Sequence, residues 1–217
     1  MGMQMSKFHN SSIIQSMKFV IGVDEAGRGP LAGPVSVGVF MAPKNLNKKL
    51  IKILGGKIRD SKKLSPKRRE GIYKQFKELK KSREINFSVS HISNKVIDEI
   101  GISKAVQKGI DMSLYNLHSS YDRKNSVIRL DGLLKAPKEF KNQKTIIKGD
   151  EKDVFIACAS IVAKVSRDRL LCRLGSKYPA YSLEIHKGYG TQLHIKLIKK
   201  YGLSPLHRKS FCKNLTK

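Results

Sequence analysis

Acidic side chains that follow short apolar runs are the residues of this sequence best suited to chemistry. Asp24 and Glu25 follow KFVIGV, Asp131 follows SVIRL, and Asp150 follows TIIKG. Strand ends line crevices in α/β sheets, so we expect these four carboxylates to converge despite their separation along the chain. Because clustered carboxylates repel one another, and because Mg²⁺ and Mn²⁺ prefer hard oxygen ligands, the pattern predicts a divalent-metal site. Paired ions of this kind can activate water and polarise a phosphodiester.

An isolated acid at the end of a strand has a more ordinary explanation. Such a carboxylate is often a helix cap or the partner of a surface lysine. The chain contains only 17 Asp and Glu residues, so finding four of them at strand ends favours a shared site. Whether the four meet depends on the tertiary structure.

The charge balance points to a polyanionic partner. Of 217 residues, 44 are Lys or Arg and 17 are Asp or Glu, and the formal net charge at pH 7 is +27. A folded domain this basic repels itself unless a polyanion is nearby, and nucleic acid is the commonest such partner. A lysine-rich composition with a merely solvated surface is the alternative. The hydrophobic content of 40% predicts a folded domain rather than a disordered chain.

The cysteines and the apolar pattern bear on location. The three cysteines, Cys158, Cys172 and Cys212, show no CxxC spacing, and their odd number argues against a disulfide framework. A reducing compartment fits this usage, so we predict a cytoplasmic protein. No apolar run is long enough to span a membrane, and residues 1–17 lack the features of a signal peptide. We expect those residues to form a flexible leader and the protein to be a monomer with no membrane partner.

Strands mixed with helices predict an α/β fold with a mainly helical C-terminal third. Ser65, Ser93 and Ser103 are candidate helix caps. We expect the first strand to stop at Asp24 and to be followed by a turn rich in Gly and Pro. The predicted strands cover residues 18–23, 35–41, 85–91, 126–130 and 145–147, and the predicted helices cover 45–54, 66–81, 94–100, 104–118, 154–174 and 191–201.

Residues 24–35, which read DEAGRGPLAGPV, resemble ribonuclease HII. Further blocks are similar to that family and occur in the family's order. They are DSKKL at 60–64, LDG at 130–132, KGD at 148–150, ASIVAKV at 159–165 with Arg167-Asp168, HKGYGT at 186–191 and HRKSF at 207–211. The GRG form of residues 27–29 differs from the GKG of the related ribonuclease HIII. That relative also carries an extra N-terminal domain, for which the short leader leaves no room.

The resemblance implies a ribonuclease H-like mixed sheet flanked by helices, with a helical C-terminal extension. We therefore expect a catalytic domain at 18–174 and a substrate-binding extension at 175–217. The implied activity is endonucleolytic hydrolysis of the RNA strand of RNA–DNA hybrids and cleavage 5′ of ribonucleotides embedded in duplex DNA. The products are 5′-phosphate and 3′-hydroxyl ends. The implied catalytic acids, which hold two Mn²⁺ or Mg²⁺ ions, are Asp24, Glu25, Asp131 and Asp150.

The resemblance also implies substrate-binding residues. In the family, the turn at Gly27, Arg28 and Gly29 reads the ribose 2′-hydroxyl, and glycine lets a backbone come close to a ligand. Tyr189 is expected to stack on the sugar that follows the ribonucleotide. The ordinary alternatives are a structural turn, a tyrosine that merely packs, and solvated surface lysines. The expected phosphate contacts are Lys62, Lys63 and Lys187.

Asp168 is a weaker candidate for the metal site. It lies beside Arg167 and Arg169 on a predicted helix, where salt bridging is the ordinary role of an acid. The sequence departs from the family at Cys158, where a small residue is usual, and at Leu133-Leu134, where a polar residue is commoner. Neither departure involves a proposed ligand.

Two other functions remain open. A DNA-directed nuclease of the same broad fold, such as a junction resolvase, would cleave an all-DNA substrate. A catalytically inactive, basic nucleic-acid-binding protein would be expected to lack a ligand acid, and none of the four is missing. Cleavage of a duplex that holds one ribonucleotide distinguishes the first function, and metal-dependent turnover distinguishes the second.

Overall fold

The computed structural model describes residues 18–58, 61–117 and 125–215. In these residues five strands form one mixed sheet: β1 (Phe19–Ala26), β2 (Val35–Pro43), β3 (Asn86–Ile92), β4 (Ser126–Asp131) and β5 (Gln143–Ile146). Their order across the sheet is β3-β2-β1-β4-β5. β2 is antiparallel to both β1 and β3, whereas β4 is parallel to both β1 and β5. The sheet is therefore mixed, as the sequence predicts.

Helices cover both faces of the sheet and make up much of the C-terminal region. They are α1 (Asn47–Leu54), α2 (Pro66–Lys81), α3 (Asn94–Ile100), α4 (Ile102–Tyr115), α5 (Gly149–Lys152), α6 (Val154–Gly175), α7 (Leu183–His186) and α8 (Gln192–Tyr201). Within the described residues, no helix combines the length and the apolar character that crossing a bilayer requires. The predicted leader at 1–17, Asp60 and the end of the helix predicted to reach 118 lie outside the described residues, as does the side chain of Lys62.

The long helix α6 lies across β1 and β2 and is buried on nearly all sides. Two glycines make this close approach possible. A Cβ on Gly22 would lie 2.1 Å from the carbonyl oxygen of Phe155, and one on Gly38 would lie 2.5 Å from that of Ala159. Since real Cβ atoms do not approach backbone so closely, neither position accepts a side chain without moving α6.

The two faces of the sheet carry separate apolar cores. Val20 of β1 packs in the core beneath α6, whereas Ile21 and Val23 pack in the core beneath α3 and α4. This alternation follows from the two-residue period of a strand. The result is a three-layer α/β/α arrangement in which β1 is central and buried on both faces.

The predicted helix caps are confirmed at two serines and wrong at the third. The side chain of Ser65 accepts a hydrogen bond from the Arg68 amide, and that of Ser93 accepts one from the Val96 amide. Ser103 lies inside α4, whose N-cap is Gly101. Gly101 ends α3 and begins α4 with a left-handed φ of 80°, so the two helices join without the extra linker that a cap at Ser103 requires.

The prediction that the first strand stops at Asp24 is wrong. β1 continues to Ala26, because β2 pairs with it along this stretch, with Asp24 opposite Gly38 and Ala26 opposite Ser36. The two acids therefore belong to the last, hydrogen-bonded part of a strand. Their backbone is held by the sheet instead of by a loop.

The C-terminal segment returns to the turn between β1 and β2. His207 forms an isolated β-bridge with Ala32. The Gly33 amide donates to the Leu206 carbonyl at 2.9 Å, and the Arg208 amide donates to the Leu31 carbonyl at 2.8 Å. This contact joins the region after α8 to the end of the first strand.

Gly22→Ala should destabilise the protein by about 1–3 kcal/mol or more, because the new methyl group meets the backbone of α6. Gly71→Ala is a control in an exposed part of α2, where an added Cβ has no atom within 4 Å. This change should stabilise the protein by about 0.8–1 kcal/mol, since alanine is the better helix former. Urea unfolding measures the stability of both variants. Small changes in stability of the same sign at the two positions would contradict the close packing of α6 on β1.

Candidate active site

Pairing of β1 with β4 brings Asp24 and Asp131 to one edge of the sheet. The strands are parallel neighbours with Val23 opposite Leu130. Continuing this register by one residue sets Asp24 beside Asp131. Both acids lie at the carboxyl ends of their strands, where crevices form in such sheets.

Asp24 is a buried carboxylate in an unfavourable environment. It is 5% exposed, and burial raises the pKa of its carboxyl well above the usual value, with further increases from the charges of Glu25 and Asp131. Hydrogen bonds from the Ser160 hydroxyl and the Glu25 amide oppose this rise in pKa. Because the rise is the larger effect, a nearby cation would relieve the site.

Two hydroxyls fix the orientation of Asp24. Ser160 of α6 hydrogen-bonds to Asp24, and its Oγ lies 2.8 Å from the Oγ of Ser61. A hydroxyl donates one proton, so Ser160, which donates to the carboxylate, accepts from Ser61. Both serines are buried. The arrangement resembles the outer partners that orient metal-binding carboxylates.

Asp131 is linked through the backbone to Asp150. The Gly149 amide donates to Asp131 Oδ1 at 2.6 Å, a short, charge-assisted bond. Gly149 begins α5, and Asp150 follows it as a buried residue. A Cβ on Gly149 would lie 2.5 Å from Ile156 Cδ1. A side chain at 149 would thus require either a shift of Ile156 or a displacement of the segment that carries Asp150.

Glu25 lies on the open side of the same edge. Its Oε1 accepts from Arg28 Nε at 2.9 Å in a pair whose side chains are 14% and 46% exposed. Glu25, Arg28 and Asp131 line a cleft of about 540 Å³ together with Lys135 and residues of α4. Two of the strand-end acids therefore face a cleft that a ligand can enter.

The donor set of this edge fits a hard divalent cation. Among the described residues, no three His, Cys, Asp or Glu side chains already form a group that could hold a metal ion. Asp24 and Asp131 are adjacent carboxylates, however, and Glu25 is held only by a partly exposed ion pair with Arg28. The Arg28 side chain is 46% exposed and can turn into solvent. A third carboxylate is thereby free to turn towards a cation.

The turn after β1 leaves two backbone amides available to a ligand. Gly27 has a φ of +92°, and a Cβ there would lie 2.0 Å from Arg167 Nε, so packing requires glycine. Gly29 is different, because an added Cβ has no atom within 4 Å. In the part of the chain that the structure describes, the amides of Arg28 and Gly29 have no hydrogen-bond partner.

Tyr189 lies in a segment that packs on this turn. The Gly188 carbonyl accepts a hydrogen bond from the Leu31 amide at 2.8 Å. Lys164 Nζ lies 5.5 Å and Arg167 Cζ lies 5.7 Å from the centre of the Tyr189 ring. These cation–π contacts position the ring, while 39% of the residue stays exposed. The ring is thus held in place with part of its surface open to a ligand.

The predicted phosphate-binding lysines occupy different surroundings. Lys63 forms an exposed ion pair of 3.0 Å with Glu151, the residue after Asp150. Lys187 donates from Nζ to the carbonyl of Glu184 and has a left-handed backbone. The structure therefore places Lys63 near the strand-end acids and Lys187 beside the Tyr189 segment.

Comparison with known proteins identifies the family. The model of the ribonuclease HII family matches residues 21–214, a span that contains every site residue named above. The chain belongs to the ribonuclease HII family. The resemblance seen in the sequence is confirmed, and with it the enzyme class, because ribonuclease HII is a ribonuclease H and therefore an endoribonuclease.

Individual proteins agree with this assignment. The ribonuclease HII of Caldicellulosiruptor bescii is 48% identical over 201 residues, which are 93% of this chain and 90% of that protein. The ribonuclease H2 of Pyrococcus horikoshii OT3 has a similar structure, with a TM-score of 0.70 and 27% identity over 91% of this chain and 97% of that one. Bst-RNase HIII in complex with Mn²⁺ shares the fold, with a TM-score of 0.65 and 17% identity over 88% of this chain and 65% of that one. The predicted ribonuclease H-like fold is confirmed.

A buried cluster of three histidines supports the Tyr189 backbone in this member of the family. The ring centres of His186 and His194 are 4.1 Å apart, and those of His194 and His207 are 5.1 Å apart. His194 Nδ1 donates to the Tyr189 carbonyl, and His194 Nε2 accepts from His207 Nε2 at 3.1 Å. His207 Nδ1 in turn accepts from the Ser204 amide at 2.8 Å. These bonds require neutral rings.

Other acids of the chain have the ordinary roles considered above. Asp168 pairs with Lys164 at 2.8 Å and with Arg69 at 3.9 Å, which is a salt-bridging role with partners other than its sequence neighbours. Asp153, which sequence reasoning did not single out, caps α6 and pairs with Arg129 at 2.6 Å. A carboxylate just before a long apolar helix was the available signal for that cap.

Sequence reasoning also missed Ser160 and Arg208 as individual residues. Both lie inside blocks that resemble the family, at 159–165 and 207–211, but the blocks do not reveal what each side chain contacts. The departure at Cys158 is a fully buried residue of the core. At the other departure, Leu134 is buried, whereas Leu133 is 88% exposed.

The free energy of unfolding should fall as the pH decreases from 6.5 to about 4. Burial lowers the pKa of His194 to about 4 from 6.5, so in this range the unfolded chain binds a proton that the folded chain does not. His194→Asn keeps a donor for the Tyr189 carbonyl but cannot titrate, and its stability should depend less steeply on pH. Some slope remains, because burial also lowers the pKa values of His186 and His207. Urea titrations at several pH values in this range give the dependence of stability on pH for each protein. The same dependence in the original protein and in His194→Asn would argue against a neutral histidine cluster.

Proposed function

We propose that the chain is a divalent-metal-dependent endonuclease that hydrolyses the RNA strand of RNA–DNA hybrids and cuts 5′ of ribonucleotides embedded in duplex DNA. The products are 5′-phosphate and 3′-hydroxyl ends. The observation that carries the proposal is the pairing of β1 with β4, which sets Asp24 beside Asp131 just before the glycine turn. Acids suited to metal-assisted hydrolysis thus adjoin a backbone segment suited to reading a ribose.

The proposed ligands of two Mn²⁺ or Mg²⁺ ions are the four strand-end acids, Asp24, Glu25, Asp131 and Asp150. The raised pKa of Asp24 supports a cation there, and Bst-RNase HIII, which has a similar fold, binds Mn²⁺. When bound, such ions activate water and stabilise the leaving oxygen of a phosphodiester. The chain itself supplies orientation, since Ser160 holds Asp24 and the Gly149 amide holds Asp131.

The turn at residues 27–29 is proposed to read the ribose. The 2′-hydroxyl is both donor and acceptor, and it is the group that distinguishes RNA from DNA. The amides of Arg28 and Gly29 are free to donate to its oxygen, as far as the described residues extend. The open space beside Gly29 gives a sugar room to approach the backbone.

Tyr189 is proposed to stack on the next sugar, and lysines are proposed to hold the phosphates. The exposed part of the Tyr189 ring and its packing on the turn support the stacking. Phosphate contacts fix the register of a duplex without reading its sequence, and the net charge of +27 supports a polyanionic substrate. The proposed phosphate-binding residues are Lys62, Lys63 and Lys187.

A cytoplasmic location is also proposed. Cys158, Cys172 and Cys212 are free cysteines, and two of them are buried. Free thiols of this kind persist in reducing compartments.

The deciding experiment maps cleavage of a DNA duplex that holds one ribonucleotide, with Mn²⁺ and Mg²⁺ supplied in turn. We expect one cut, on the 5′ side of the ribonucleotide, that depends on the metal. Asp131→Asn should lower the cleavage rate more than about 100-fold. Mutation of a residue that only orients a metal ligand already lowers metal affinity or activity by up to about that factor. Binding of the duplex should persist. Asp111→Asn, an exposed change on α4, is the matched control and should cut normally.

Each rival function predicts a different outcome of this experiment. Equal cleavage of an all-DNA duplex of the same sequence would identify a DNA-directed nuclease. Tight binding without turnover in either metal would identify a catalytically inactive binding protein. Full activity of Asp131→Asn would show that the strand-end acids do not hold the ions.

Gly29→Ala tests whether the substrate approaches the turn closely. The free protein has space for the methyl group, so the stability of the variant should change by less than about 0.5 kcal/mol. Cleavage at a ribonucleotide should fall at least about tenfold, since the methyl group would occupy the position proposed for the sugar. Urea unfolding and steady-state rates provide the two readouts. Normal cleavage by a stable variant would place the ribose elsewhere.

A further inference from the structure

Arg208 is a fully buried arginine whose guanidinium is committed to the turn after β1. It donates to the carbonyl oxygens of Gly27 at 2.7 Å, Arg28 at 2.9 Å and Gly33 at 2.9 Å. A planar guanidinium spans three fixed acceptors in a way that a lysine ammonium cannot. One side chain from the C-terminal segment therefore orients two consecutive peptide groups of the turn.

The direction of these carbonyls dictates where the adjoining amides point. No cis peptide bond occurs in the described residues, and in a trans peptide group the N–H points opposite to the C=O. The Gly27 carbonyl shares a peptide group with the Arg28 amide, and the Arg28 carbonyl shares one with the Gly29 amide. Because both carbonyls point towards Arg208, both amides point away from it. Both amides, as noted for the turn, have no hydrogen-bond partner among the described residues.

The charge of Arg208 strengthens this arrangement. Its hydrogen bonds go to backbone carbonyls, and burial together with the nearby charge of Arg167 lowers the pKa of Arg208 to about 9. The group is thus still protonated at neutral pH. A cation bound to a carbonyl polarises the peptide group, which makes the N–H on its other side a better donor.

Arg167, a second fully buried arginine, orients a different part of the turn. Its acceptors belong to peptide groups other than those that carry the two free amides. Arg167 therefore holds the turn against the Tyr189 segment, whereas Arg208 sets the direction of the amides. The acceptors of Arg167 are the carbonyls of Ala32, Pro34 and Lys187.

We propose that Arg208 is a specificity-determining positioning residue for the ribose. By holding the Gly27 and Arg28 carbonyls inward, it presents the amides of Arg28 and Gly29 to the 2′-hydroxyl oxygen. The inference rests on the proposed ribose-reading function of the turn and names the side chain that makes the turn selective. Arg208 acts through the backbone and does not touch the substrate, so its loss leaves phosphate contacts intact.

The test compares affinities for two duplexes of identical sequence, one all-DNA and one with a single ribonucleotide. An Asp131→Asn background prevents cleavage. Arg208→Met removes the guanidinium and keeps apolar bulk, and it should lower the ribonucleotide preference about ten- to a hundredfold, as expected for two lost hydrogen bonds. Arg208→Lys keeps the charge but not the three contacts, so it should lower the ribonucleotide preference less than Arg208→Met does. Affinity for the all-DNA duplex should stay within about twofold, because phosphate contacts dominate it.

Leu50→Ala is the control for a purely structural role. Leu50 is fully buried in the core beneath α6, so its truncation destabilises the protein without contacting the turn. Urea unfolding matches the stability of this variant to that of Arg208→Met. If both variants lose the ribonucleotide preference to the same extent, Arg208 is merely structural and the inference is wrong.

Gly29→Pro, compared with Gly29→Ala, tests the amide and does not require Arg208 variants to fold. Both variants add a Cβ at position 29, where the free protein has open space, but only proline also removes the amide proton, so the ribonucleotide preference should fall further in Gly29→Pro. It should fall as it does in Arg208→Met, and a retained preference in Gly29→Pro or Arg208→Met overturns the inference. If the Asp131→Asn protein with an intact Arg208 shows no preference for the ribonucleotide, the turn does not read the ribose. That result overturns the proposed function of the turn and therefore also the role of Arg208.

Discussion

Burial of the Asp24 carboxyl beside the charges of Glu25 and Asp131, where β1 and β4 end, is the constraint on which the rest of the structure depends. Burial and the charges of Glu25 and Asp131 raise the pKa of Asp24, so the free protein carries an electrostatic penalty at the candidate active site. An unfavourable environment of this kind persists where many surrounding contacts hold the groups in place. Here the determinants are the β1–β4 pairing, the helix α6 that crosses β1, and the hydroxyl of Ser160.

The turn after β1 depends on a second kind of interaction, in which buried cations bind backbone carbonyls. Arg167 and Arg208 are both fully buried and donate to carbonyls of this turn. Burying these charges without a hydrogen-bonded carboxylate is tolerated because several carbonyl dipoles replace their water, and the nearby charges of Asp98 and Asp168 favour the protonated forms of Arg208 and Arg167. The same contacts join the C-terminal segment to the first strand. The helical region after α6 is therefore part of the machinery that shapes the turn.

Local signals were readable wherever neighbouring residues decide the structure. Ser65 followed by Pro66 predicted the start of α2, because a serine hydroxyl and a proline satisfy the first turn of a helix locally. Ser103 carried a similar signal and was overridden, since Gly101 supplies the left-handed φ that joins α3 to α4. The end of β1 was misplaced because its last residues are held by pairing with β2, which lies in another part of the sequence.

The sequence by itself determined the family, the mixed α/β fold, the four candidate acids and the glycine turn, because these depend on residue type and order. Only the tertiary structure decided that Asp24 lies beside Asp131, that Ser61 reaches Asp24 through Ser160, and that Arg208 orients the turn. The physical reason is that each of these contacts joins residues 99 to 181 positions apart or depends on the register of two strands. Such distances are closed by packing of α6 and pairing of strands, which no local pattern encodes.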